Sequence, residues 1–87
     1  MIQEATERVR LMEQYFQLLQ KVEKENPAAL REDPEVRAML QALTQYYESG
    51  QWLRDYELDE KGLLPRDLKR GVLSQDAVYH FLERIGG

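Results

Sequence analysis

From Ile2 to Leu19, apolar residues recur at alternating steps of three and four: Ile2, Ala5, Val9, Met12, Phe16 and Leu19. That spacing gathers them on one side of a 3.6-residue helix and on no common face of a strand, so it predicts a long helix over residues 2–25. Leu11, Tyr15, Leu18 and Val22 widen the stripe. A coiled-coil seam is narrower and would continue at Glu23, so the helix is expected to meet more than one neighbour. The remaining face, with Glu4, Glu7, Arg10, Glu13, Gln14, Gln17 and Lys21, reads as solvated.

The rest of the chain is marked out by caps and breakers. Asn26-Pro27 and Asp33-Pro34 each set a capping side chain before a proline, the combination favoured at helix starts. They predict a short helical turn over 27–31 and a second long helix over 34–48 with Val36, Met39, Leu40, Leu43, Tyr46 and Tyr47 on its apolar face. Ser49-Gly50 ends that helix, because glycine accepts the left-handed closing conformation. A third helix over 51–60 carries Trp52 and Tyr56 on one face, with Arg54, Asp55, Asp59 and Glu60 mostly elsewhere, and stops at Gly62. Leu63 and Leu64 are expected to return the chain to the core, and Pro65 to open a single turn over 66–70 that Gly71 closes. Ser74 is the expected cap of a last helix over 75–85, with Asp76 in its first turn and Leu73 and Val78 as a hydrophobic staple. Ala77, Val78, Phe81, Leu82 and Ile85 form that helix's buried face. The pattern predicts one all-α domain over 1–87: an antiparallel helical hairpin with two shorter C-terminal helices wrapped against it.

Composition narrows the function. With 43% hydrophobic and 32% charged residues in 87, the chain reads as a soluble globular domain with a modest core. No apolar run reaches membrane length and the first residues include acids foreign to a signal peptide, so a cytoplasmic location is expected. The absence of cysteine excludes disulfides and thiolate metal sites. A net charge of -4 argues against non-specific nucleic-acid binding, which needs a basic surface.

Tyr46-Tyr47, Ser49, Trp52, Asp55 and Glu57, followed by Leu64-Pro65, Asp67 to Ser74, Asp76 and Val78-Tyr79, form a pattern similar to that of the domain of unknown function 4298 family. The run LPRDLKRGVLSQDAVY is its most specific part. The resemblance implies a small helical protein of bacterial or phage origin and supplies no activity.

Two groups of residues are candidates for a site. Lys69, Arg70, Gly71 and Ser74 put two cations, a glycine and a helix start within six residues, which could hold a phosphate, nucleotide or carboxylate. The GxxxxGK[ST] loop of nucleotide-binding proteins is missing. The competing reading has Leu68, Val72 and Leu73 filling the core while the cations pair with Asp55, Glu57, Asp59 and Glu60. Tyr47, Trp52, Arg54, Tyr56 and Tyr79, beside Tyr46, could form a partner surface, or a boundary layer with buried rings and bonded hydroxyls. Asp55, Glu57 and Asp59 have the alternate spacing of a calcium loop, but Glu60 stands where glycine is needed and Arg66 where the closing carboxylate is needed, so no metal is expected. His80 is the single histidine, falls off the apolar face of its helix, and is expected to be partly exposed. One histidine and no cysteine leave little for catalysis, so neither enzyme nor cofactor is expected. The leading expectation is a non-enzymatic protein-interaction module whose partner is a protein or a second copy, self-association being favoured by the broad stripe of the first helix. The alternative is a small anionic-ligand binder using the Lys69–Ser74 segment.

Overall fold

The computed structural model describes residues 2–86, and among them no strand occurs. The elements are α1 (Ile2–Glu25), α2 (Ala29–Glu32), α3 (Pro34–Glu48), α4 (Gln51–Glu60), a 3-10 turn at Gly71–Leu73, and α5 (Ala77–Gly86). At about 1.5 Å per residue the 24 residues of α1 are about 36 Å long, close to the 38 Å longest dimension of the molecule. This helix therefore runs the length of the fold. Both α3 and the 3-10 turn pack directly on it, α4 joins the two, and α5 packs on the turn.

The core follows the periodicity. Ala5, Val9, Met12, Phe16 and Leu19 of α1 are buried with Val36, Leu43 and Tyr46 of α3, Trp52 of α4, and Val78 and Phe81 of α5. Leu64, Leu68, Val72 and Leu73 come from the connecting segment. The Phe16 and Phe81 rings meet edge to face, 5.5 Å apart, and tie the two ends of the sequence together.

Local chemistry sets the ends. Asp33 caps α3 by accepting from the N–H groups of Glu35 at 2.9 Å and Val36 at 3.5 Å, with Pro34 in the first turn. The break between α3 and α4 falls on Gly50, whose φ of 93° is open to glycine and strained for other residues. α4 closes with Gly62 left-handed: Gly62 N–H donates to Asp59 O at 2.9 Å and Leu63 N–H to Leu58 O at 3.0 Å, the Schellman pair.

Several expectations need correction. The short helix expected over 27–31 runs Ala29–Glu32 with Ala28 at its start and no side-chain cap, the chain turning into it through Ala29 N–H on the Asn26 carbonyl at 3.0 Å. Leu63 is half exposed and not in the core: its N–H closes α4 on Leu58 O, and the buried place is taken by Leu64 alone. The helical turn predicted at 66–70 is a tight turn closed by Leu68 N–H on Pro65 O at 3.2 Å, and the helical turn itself lies at Gly71–Leu73, so Gly71 opens it instead of closing one. Arg70 accounts for that shift: its guanidinium donates to the carbonyls of Pro65 and Leu68, replacing partners a helix would supply. Ser74 offers its carbonyl to Ala77 N–H at 3.3 Å, while the first full helical bond of α5 runs from His80 N–H to Asp76 O at 2.9 Å, which puts Asp76 at the cap. Glu13 and Asp55, read as surface residues, are buried. No helix among the described residues is long and apolar enough to cross a membrane.

Candidate functional site

Val72 is the point on which the C-terminal segment docks. It is fully buried, and its short turn cannot pair its backbone groups internally. Side chains do so instead. Its N–H donates to Glu13 Oε1 of α1 at 2.7 Å, and its carbonyl accepts from Trp52 Nε1 of α4 at 2.8 Å. Gln17 Nε2, one turn along α1, donates to the other Glu13 oxygen at 2.7 Å. A side chain at Gly71 would place its Cβ 3.2 and 3.3 Å from the two Glu13 oxygens, so glycine there permits the close approach.

A second polar cluster joins three helices. Asp55 of α4 is fully buried and accepts from Arg8 of α1 at 2.6 and 2.9 Å and from the Tyr46 hydroxyl of α3 at 2.7 Å. The two-pronged guanidinium contact and the phenol together satisfy the buried carboxylate. The hydrogen bond to Asp55 holds the Arg8 guanidinium above its ordinary pKa. Burial first, and then the Asp55 carboxylate, push the Tyr46 phenol well above the usual tyrosine range.

The four residues of the expected anion site do not converge. Arg70 turns inward to Asp59 and to two carbonyls, Gly71 backs onto Glu13, and Ser74 is exposed. Lys69 alone faces an open cleft of about 270 Å³, shared with Arg10, Gln14, Gln17 and Asp67. The aromatic group is brought together more closely. Trp52 is buried and stacks on half-buried Tyr56 at 5.2 Å and 14°, with Tyr47 against it at 5.3 Å. Arg54 and Tyr79 are exposed, the Tyr79 hydroxyl donating to Glu83 at 2.9 Å. His80 is exposed, its ring 5.5 Å from that of Tyr79. Among the described residues no group of three or more His, Cys, Asp or Glu is arranged to hold a metal ion.

An apolar row on the outside of α1 did not figure among the sequence candidates residue by residue. Leu11 and Leu18 are 43% and 49% exposed, and they alternate with half-buried Tyr15 and Val22. Glu13 was discoverable: it lies four residues after Val9 and three before Phe16, on the spacing of the buried stripe. Asp55 gave a similar signal, three residues after Trp52 and three before Leu58.

Residues of the run Tyr46 to Tyr79 thus hold the fold together: Tyr46 and Asp55 in one cluster, Trp52 and Val72 in the other. No curated protein and no solved structure matches the chain. The family described as a domain of unknown function, DUF4298, matches residues 9–86, from the first buried valine of α1 to the last residue of α5, and the chain belongs to that family.

Proposed function

We propose that this chain is a non-enzymatic protein-interaction module whose contact surface is the outer row of α1. The observation that carries the reading is the alignment of Leu11, Tyr15, Leu18 and Val22 along one helix flank, two of them with large exposed area. Single exposed leucines are ordinary, whereas an apolar row continued outside the core-facing side of a helix is a surface that gains from a partner. In this reading α1 and α3 form an antiparallel hairpin that displays the row, and the C-terminal segments wrap another side. Support for that hairpin comes from Asp55, which joins Arg8 near the start of α1 to Tyr46 near the end of α3.

The alternative, a small-anion binder, draws support from Lys69 and Arg10 sharing one cleft. Against it stand the internal engagements of the groups it would need: the Val72 amide on Glu13 and the Arg70 guanidinium on Asp59. Light scattering on a sizing column, with thermal midpoints taken in phosphate, nucleotides and dicarboxylates, separates the two. An interaction module has a midpoint indifferent to all of these anions. A midpoint that rises with the concentration of one anion, and no longer does so in Lys69→Ala, would overturn the reading.

A further inference from the structure

Resting on that reading, we infer that the occupant of the outer row is a second copy of this chain, with its α1 running antiparallel. The row is self-complementary on reversal. Extended by one residue at each end it reads Arg8, Leu11, Tyr15, Leu18, Val22, Glu25, with steps of three, four, three, four and three. Reversing it about the midpoint between Tyr15 and Leu18 sets Leu11 against Val22, Tyr15 against Leu18, and Arg8 against Glu25.

Each of those pairings is chemically sound. The four central residues are apolar or amphipathic and alternate at the coiled-coil period, so two such rows can interdigitate. Leu11 and Leu18, the most exposed, each meet a half-buried residue of the other copy, a protrusion against a recess. At the ends a cation meets an anion. Arg8 spends Nε and Nη2 on its own Asp55 and keeps 29% of its side chain exposed, while Glu25 is exposed. A parallel, in-register pair would instead set Arg8 on Arg8 and Glu25 on Glu25, with the helix dipoles also aligned. Charge therefore selects the antiparallel arrangement. The two-fold axis between Tyr15 and Leu18 makes the contact isologous and closed, giving a dimer and no larger assembly. A row of this length, about 26 Å, is at the small end of stable interfaces, so the dimer dissociates on dilution.

The chain's lack of cysteine allows a direct test. Leu11→Cys and Val22→Cys chains are prepared separately and then mixed and oxidised, and sedimentation velocity is run on the unmodified chain and on Leu18→Glu. Antiparallel pairing places positions 11 and 22 of opposite copies within disulfide reach, but positions 11 and 11 about 16 Å apart. The mixture should therefore form a mixed disulfide dimer while each variant alone does not. Leu18→Glu, with an unchanged circular dichroism spectrum, should weaken association by at least about tenfold. Dimers in which each variant cross-links to itself, or a dimer indifferent to Leu18→Glu, would overturn the arrangement. A chain that sediments as a monomer at every concentration would overturn self-pairing altogether and leave the row to a different protein, whereas a midpoint that responds to anions would overturn the interaction reading itself.

Discussion

Asp55 carries a negative charge with no exposed surface, and three donors around it make that tolerable. A buried carboxylate without such partners would cost several kcal/mol, so each donor matters more for what its loss leaves behind than for its own attraction. Tyr46 is the donor whose contribution changes with pH. Its phenol is held protonated by burial and by Asp55, so its pKa in the folded chain lies above that in the unfolded chain, which is about 10. A raised pKa of this kind contributes fully below about pH 10 and is lost as pH rises beyond it, when the unfolded chain gives up the proton and the folded chain does not. Tyr46→Phe should lower stability by about 1–2 kcal/mol at neutral pH and flatten the alkaline part of the stability curve. Urea unfolding from pH 7 to 11 checks both, and an alkaline slope equal to that of the unmodified chain would place the titration elsewhere.

At the scale of elements, α1, α3 and α4 differ from the segment between α4 and α5. The helices were legible because their signals are local: a 3-4 apolar period, Asp33 before Pro34, and glycines at 50 and 62. The approximate ranges read from those signals coincide with the observed Ile2–Glu25, Pro34–Glu48 and Gln51–Glu60. The connecting segment was legible only in its burial pattern, Leu68, Val72 and Leu73, and not in its shape. Its shape is set by partners 59 and 20 residues away, Glu13 and Trp52 on Val72, and by Arg70 folding back on its own turn. No local pattern encodes such contacts. The same distance explains the candidate site: the residue types for anion binding are present at 69–74, and tertiary contacts already occupy most of them. Glu13→Ala would leave the Val72 N–H buried without an acceptor, at a cost of about 2 kcal/mol, which in a domain of this size lowers the midpoint by roughly 8–16 °C. Glu13→Gln keeps an acceptor in place and should lose less than half as much. Thermal unfolding of the two variants checks this, and equal losses would mean that the charge of Glu13, and not its hydrogen bond to Val72, is what the turn requires.

Over the whole molecule the long helix has two apolar sides with different employment. One side, from Ala5 to Leu19, is covered by the rest of the chain, and the other, from Leu11 to Val22, is partly open. The sequence announced a stripe too broad for a single neighbour. It could not say which flank the short elements would leave bare, since that depends on where the Val72 and Asp55 contacts draw them. The most direct measurement compares Leu18→Glu with Leu19→Glu, adjacent positions that are 49% and 0% exposed, by thermal midpoint and sedimentation together. If the outer row serves a partner, Leu18→Glu keeps its midpoint within a few degrees and loses association, whereas Leu19→Glu, which buries a charge, does not fold. A Leu18→Glu chain that unfolds with its neighbour, or that folds and associates as before, would contradict the assignment of that row to a partner.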